Sequence, residues 1–456
     1  MSHYLDKTLI HKYGIAGPRY TSYPTAVQFH EQFTATDYEN ALRESNAKGR
    51  DLSLYIHIPF CEHVCYYCGC NKIITRNHAQ ASEYLRYLAL DISRQAALID
   101  SHRRVVQLHF GGGTPTFLSP DEIRHIMDLL RQHFQFAAEG EYSIEIDPRT
   151  VDDAYLKTLR DIGFNRVSFG VQDIDPDVQR AINRVQPLED IRNMVASARV
   201  HGYHSISCDL IYGLPLQTRE RFAHTIDAII ELSPDRLALF NYAHMPQLFG
   251  AQKQMNAADM PSPAEKLDIL DMSIERLTAA GYEFIGLDHF AKPDDSLVQH
   301  QKNGTLYRNF QGYSTYSNCD LIGFGTSAIA MLENHYSQHQ KARSRYYQAL
   351  DAGGLPVLRG VTLNKDDHIR QHCITQIMCN LHLDLHAVGD KFEIEAKQYL
   401  AKEWQALEEL AHDGLITLTD TTLDVLSPGR LLIRNIAMTF DAYLTPAQNK
   451  RYSQAI

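Results

Sequence analysis

With 456 residues, 44% of them hydrophobic and 22% charged, the chain is long enough for one large core and one or two smaller units and too apolar for a disordered protein. Its formal charge of −11 speaks against broad nucleic-acid binding, which needs a basic footprint. No run approaches the about 18 apolar residues of a membrane span, and Met1–Gly14 hold no apolar signal core, so no membrane span and a reducing, cytoplasmic setting are expected.

Residues 1–50 read as an N-terminal arm. The stretch Gly17-Pro-Arg-Tyr-Thr-Ser-Tyr-Pro-Thr25 has two prolines and no helical period, and a short helix follows at 36–46. From Leu52 the texture alternates. Leu52–Ile58 is strand-like and runs into a cysteine loop, and a helix is predicted over 80–98. Val105–Phe110 is the next strand and ends in Gly111-Gly-Gly-Thr-Pro115. A helix over 120–134 precedes the strand Tyr142–Ile146, which ends in Asp147-Pro148. Arg166–Val171 follows, then helices over 175–183 and 188–201. Ser205–Ile211 leads into Tyr212-Gly-Leu-Pro215, and a helix over 218–231 precedes the strand Arg236–Phe240. Six strands separated by helices make βα units with a parallel sheet. Right-handed crossovers curl such a sheet into a full or partial barrel, here over 51–330. Residues 331–456 read as a small, mostly helical unit: helices over 366–380 and 393–412, a hairpin from Gly414–Leu418 and Thr422–Leu426, and a helix over 428–440. The shape is winged-helix-like, and the acidic balance predicts packing or a lid rather than DNA binding.

Three of the strands carry a polar stripe. Side chains alternate with period two, so Ser143, Glu145 and Asp147 share one face. Arg166, Ser168, Gly170 and Gln172 share another, as do Ser205, Ser207 and Asp209. The apolar stripe packs on outer helices. The polar one must line a cavity, because unpaired buried polar groups are costly. Ligands of parallel barrels sit at the carboxyl ends of strands, where Glu145, Gln172 and Asp209 lie. Taken singly, either carboxylate could be a structural acid, and three glycines in a row could be only a tight turn.

The densest chemical signal is Cys61-Glu-His-Val-Cys65-Tyr-Tyr-Cys68-Gly-Cys70, which holds four of the eight cysteines. Thiolates select zinc, copper(I) or iron–sulfur clusters. A disulfide framework belongs to short secreted chains. Structural zinc wants two separated ligand pairs, and no second pair lies nearby. A C-x3-C-x2-C loop can instead put three thiolates on one face of an iron–sulfur cube and leave the fourth iron open.

The cysteine loop after the first strand and the glycines after the second resemble the radical S-adenosylmethionine superfamily. The Gly17–Pro24 stretch, the extended motif with Cys70, and Asn309-Phe-Gln-Gly-Tyr-Ser314 narrow this to the oxygen-independent coproporphyrinogen III oxidase family of anaerobic haem biosynthesis. That resemblance runs from about residue 10 to the end. It implies an α/β fold built as a partial (β/α)6 barrel, with the N-terminal arm and the helical C-terminal unit. It also implies a monomer, one [4Fe–4S] cluster and two S-adenosylmethionine molecules. Cys61, Cys65 and Cys68 would ligate iron. Tyr55, Gly112, Glu145 and Ile329 would contact the first S-adenosylmethionine; Tyr67, Gly113, Thr114, Gln172, Arg184, Asp209 and Ala243 would contact the second. The family usually has phenylalanine where Tyr67 stands, and both rings can stack. Cys70 matches the motif without being expected to ligate iron. Cys70, Glu145, Tyr20 and Arg19 are the candidate catalytic residues, and Arg19, Tyr20 and Arg308 the candidate contacts for substrate carboxylates.

The reaction this implies is radical decarboxylation of two propionates of coproporphyrinogen III to vinyl groups, giving protoporphyrinogen IX, with electrons from a flavodoxin-type donor. A related haem chaperone is the alternative. Such chaperones lack the arm and carry an aromatic residue at the place of Cys70. An RNA-modifying radical enzyme would carry a basic appended domain, and a structural zinc protein would be colourless.

Overall fold

The computed structural model describes residues 6–444; the outermost ends of the expected arm and of the 331–456 unit lie outside them. Six strands run parallel and in sequence order: β1 (Asp51–Ile58), β2 (Arg104–Gly112), β3 (Gln135–Ile146), β4 (Arg166–Gln172), β5 (Ser205–Tyr212) and β6 (Arg236–Asn241). The helices α1 (Ala79–Ala96), α2 (Pro120–His133), α3 (Asp153–Ile162), α4 (Leu188–Val200) and α5 (Arg219–Leu232) cross over between them, and α6 (Pro263–Ala279) follows β6. Each of the six expected strands is present. Local chemistry sets the helix ends. In α2, Ser119 and Glu122 form a reciprocal cap with Pro120 at the first turn, and Ile123, Ile126, Met127 and Leu130 turn one buried face to the sheet.

The sheet does not close. Beyond β6 it continues through the antiparallel strands β7 (Glu283–Gly286) and β8 (His289–Ala291), with β8 next to β6. On the other side β9 (Cys319–Phe324) lies parallel to β1. The antiparallel β10 (Ile329–Met331), β11 (His335–His339) and β12 (Val357–Thr362) extend that edge. The α/β partial barrel is therefore as the sequence predicts. The three strands from Ile329 onward belong to the same sheet, so the second hydrophobic core begins only with the helix Lys365–Thr375. The expected helix over 393–412 is broken into three short pieces. The expected 414–426 hairpin forms, joined by a third strand, His382–Asp384.

The two faces of the barrel strands separate as their alternation requires. Leu52, Leu54, Ile56 and Ile58 of β1, Leu108 and Phe110 of β2, and Ile144 of β3 are fully buried in the core shared with the helices. The other face is polar. A hairpin of Tyr307–Asn309 and Gly312–Ser314 lies against it. Ser314 accepts from Gln107 Nε2 at 3.3 Å, Thr315 donates to Glu141 at 3.0 Å, and the tip residues Phe310 and Gln311 reach the cavity of Tyr55 and Glu145.

Helix α1 ties the ends of two strands together. Tyr84 donates to the His57 carbonyl at 2.7 Å and accepts from Thr326 N at 3.1 Å. Asp91, fully buried, accepts from Gly325 N, the Tyr346 hydroxyl and Gln95 Nε2 at 2.8–2.9 Å. Each buried donor left unpaired costs about 1–3 kcal/mol. Asp91→Ala is thus expected to lower the unfolding temperature by several degrees, with Asp91→Asn milder, as read by thermal denaturation.

Candidate active site

The cysteine loop leaves β1 through Pro59 and Phe60. Phe60 is fully buried, stacked on Phe117 at 5.2 Å and edge-on to Tyr84 at 5.5 Å. The loop returns at Ile73–Ile74, which pair in parallel with Phe60–Cys61. All four loop cysteines are free thiols: Cys65 is buried, Cys61 and Cys68 are half-buried, and Cys70 is exposed.

A donor reaches each of the three expected ligands. Thr114 Oγ1 donates to Cys61 Sγ at 3.3 Å, and the Cys70 amide to Cys68 Sγ at 3.4 Å. Arg184 Nη1 and Arg149 Nη2 lie 3.5 and 3.7 Å from Cys65 Sγ. Burial pushes the Cys61 thiol up to about 11, so it yields its proton most readily to a metal. Hydrogen bonding from Cys70 and the charge of Lys72 pull Cys68 down, against its burial. An iron–sulfur cube takes one thiolate per iron, so its ligands need not meet at one point. Among the described residues no three His, Cys, Asp or Glu side chains group about a single ion's position. Three accessible sulfurs, each with a hydrogen-bond donor, fit a [4Fe–4S] cluster.

The glycine run passes against this loop with no room for side chains. Gly112 has φ +115°, and a Cβ there would sit 2.6 Å from His57 Cε1; one at Gly113 would sit 2.8 Å from the Phe60 carbonyl oxygen. The amides of Gly113 and Thr114 bond the Ile58 and Phe60 carbonyls at 2.8 Å.

Beside the loop is a cavity of about 320 Å³. Tyr55, Gly112, Glu145 and Ile329 all line it, together with Cys70, His57 and His109. Glu145 is held by His109, whose Nε2 lies 3.1 Å from Oε1; Nδ1 lies 2.7 Å from Ser143 Oγ, and the Tyr55 ring stacks on the imidazole. Ser143 gives its own proton to the Leu108 carbonyl at 3.2 Å. It therefore accepts from Nδ1, and the ring carries both protons whenever Nε2 donates to Glu145. Burial, with Asn71 O on Nε2 opposing it, lowers His57 to about 4.

The remaining expected residues are spread wider. Asp209 sits on β5, its carboxyl 3.1 Å from Ser168 Oγ; burial and the charge of Glu145 push it up to about 7. Gln172, buried, ends β4 with φ +66°. Arg184 is largely engaged, by Asp147 at 3.1 Å, the Gly170 carbonyl at 2.6 Å and Cys65; only its Nε lacks a partner among the described residues. Tyr67 packs beside Tyr242 and Leu214. Ala243 and Arg19 line a second cavity, of about 850 Å³, where Arg19 pairs with Asp288. Tyr20 is elsewhere: it is buried in the second core, its hydroxyl 2.9 Å from Asp441. Arg308 is buried on the hairpin over the Tyr313 ring. A further cavity of about 900 Å³, between the β9–β12 edge and the helical unit, holds none of the expected site residues.

Sequence reasoning passed over His109, Arg149 and the pairing role of Asp147. Alternation already placed His109 on the inner face of β2, and that was the signal available for it. Arg149 turns back to the loop only through the bend after β3.

The radical SAM superfamily model matches residues 55–229, from β1 into α5. A solved structure of a coproporphyrinogen III oxidase from Escherichia coli, described as a radical SAM enzyme, superposes with a TM-score of 0.92. It is 46% identical and covers 97% of this chain and 100% of that one. The oxygen-independent coproporphyrinogen III oxidases of Pseudomonas aeruginosa and Salmonella typhimurium are each 49% identical over 99% of this chain and 98% of theirs. The thiol loop on a partial barrel is thus that of a radical SAM enzyme. Within that class, the chain belongs to the oxygen-independent coproporphyrinogen III oxidase family. Membership implies an iron–sulfur cluster and S-adenosylmethionine. Among the described residues no helix is long and apolar enough to cross a membrane.

Replacing any one of Cys61, Cys65 or Cys68 by serine is expected to abolish the brown colour and the bound iron after anaerobic reconstitution, as measured by iron and sulfide analysis. Asp209 carries a pH signature. Its folded value, about 7, is above the ordinary 3.8, so folding disfavours the carboxylate, and the penalty grows as pH rises from about 4 to about 7. Asp209→Asn should therefore raise the unfolding temperature of the cofactor-free protein more at pH 8 than at pH 5. The gain is at most about 1.4 kcal/mol for each tenfold difference in proton affinity between the folded and unfolded chain.

Proposed function

We propose that this chain converts coproporphyrinogen III to protoporphyrinogen IX without oxygen, by oxidative decarboxylation of two propionates to vinyl groups. The observation that carries the reading is the hydrogen-bonded trio of sulfurs beside the Glu145 cavity, in a chain alike from end to end to oxygen-independent coproporphyrinogen III oxidases. When bound, the cluster and S-adenosylmethionine supply the one-electron chemistry that removes a propionate hydrogen.

The protein's part is position and exclusion. Cys61, Cys65 and Cys68 hold the cluster. Tyr55, Gly112, Glu145 and Ile329 take one S-adenosylmethionine, and Glu145 offers its carboxylate to the ammonium group, braced by His109. Tyr67, Gly113, Thr114, Gln172, Arg184, Asp209 and Ala243 take the second. Arg184 Nε is the nitrogen left for that ligand. Cys70 borders the first site as a non-ligand. Arg19 faces the substrate side, and Tyr20 fixes the arm that carries it. The hairpin tip at Phe310 covers the lumen and keeps water and stray C–H groups from a reactive centre. A flavodoxin-type donor, a monomeric state and a cytoplasmic setting complete the proposal.

Anaerobic incubation with coproporphyrinogen III, reductant and S-adenosylmethionine tests it, with product read by fluorescence after oxidation; no protoporphyrin would refute it. Glu145→Ala should keep its iron while 5′-deoxyadenosine formation falls about 10–100-fold, the loss of one charge-assisted hydrogen bond. Unchanged cleavage would remove Glu145 from the site.

A further inference from the structure

We infer that the 850 Å³ cavity at the carboxyl ends of β5 and β6 is the substrate chamber, and that Lys266 grips there a propionate carboxylate that the reaction leaves intact. This rests on the proposed function and names a contact it does not contain. The volume is in the upper part of the range of small-molecule sites, about 300–1,000 Å³. The walls come from the arm, from Tyr212 and Asn241 at the strand ends, from Lys266 on α6, and from Arg434 of the helical unit. In a chain of net charge −11, this lining is cationic, with Asp288 its only acid among the described residues.

Most of those cations are already engaged. Lys7 pairs with Asp268 at 2.7 Å, Arg19 with Asp288, and Arg434 donates to the Gly17 and Pro18 carbonyls. Lys266 differs. Its Nζ donates to the Tyr242 carbonyl at 3.0 Å, and among the described residues no carboxylate pairs with it. Burial lowers its ammonium to about 8, and no neighbouring charge opposes the shift. A cation taken out of water without a counter-ion is unfavourable, and an arriving carboxylate corrects that. Gly213, at φ +87°, is bare where the lysine stem crosses: a Cβ there would sit 2.6 Å from Lys266 Cε. On the facing wall, Asn241 Oδ1 is a buried acceptor with no donor among the described residues. The pyrrole N–H of a reduced tetrapyrrole is a donor of the required kind. A carboxylate present in both substrate and product is bound about equally throughout, so its anchor acts on KM.

The test titrates coproporphyrin III, a tetracarboxylate, and mesoporphyrin IX, a dicarboxylate that keeps only the unreacted propionates, into the reconstituted holoenzyme by fluorescence quenching. Lys266→Gln and Lys266→Met should bind both porphyrins about tenfold more weakly, the loss of one charged hydrogen bond. Iron content should be retained, and KM for coproporphyrinogen III should rise by a similar factor. Unchanged affinity in both variants overturns the assignment. Weakening for coproporphyrin alone overturns the claim that the gripped propionate survives. A parent enzyme that binds both porphyrins but makes no product sinks the proposed reaction and leaves the chamber standing; one that binds neither sinks both.

Discussion

One buried carboxylate holds the mouth of this barrel together. Asp147, at the end of β3, accepts from Arg149 through Nε at 3.0 Å and Nη2 at 2.7 Å, and from Arg184 at 3.1 Å. Burial alone would push its carboxyl up. The charge of Arg184 and the bonds of Arg149 prevail and hold it at about 2. Each guanidinium thereby keeps a counter-ion while it turns toward the Cys65 sulfur. Without that acid, two buried cations would be left uncompensated, a cost of several kcal/mol, and the donors that meet the thiol would swing away.

The rest of the site is arranged around that fixed point. The inner face of the sheet carries polar residues that pair across strands: His109 with Ser143 and Glu145, Ser168 with Asp209, and Ser53 with Gln107. These pairs relieve the penalty of a polar lumen and aim a few groups upward at the strand ends. The outer face is apolar and closed by helices, so the strands cannot rotate to relax the lumen. Rigidity outside and orientation inside come from the same alternation.

The arm and the helical unit act as a wall. Arg434 fastens the arm through two of its carbonyls, Tyr20 fastens it through Asp441, and Arg19 ties it to Asp288 between β7 and β8. The second core, which includes Tyr20, Tyr23 and the helix Lys365–Thr375, keeps that wall in place. A chamber bounded by three separate parts of the chain can present basic side chains to a polyanion even though the protein as a whole is acidic.

Three things are legible along the chain alone: the trio of thiols, the six parallel strands, and the polar stripe ending in Glu145 and Asp209. Each is a local pattern: thiols at fixed spacing, strands marked by alternation and turn residues, charge on one face. Folding settles the rest. The sequence analysis places no strand between 241 and 330, yet β9 pairs with β1, because a six-residue apolar run of its kind is ambiguous until a neighbour claims its hydrogen bonds. Tyr20 reads as an active-site donor in its motif and lies in the second core. Arg149 and Lys266 carry no motif at all. Their meaning comes from what burial leaves them beside, a sulfur in one case and a lone carbonyl in the other, and proximity between residues distant along the chain is a property that only the folded molecule has.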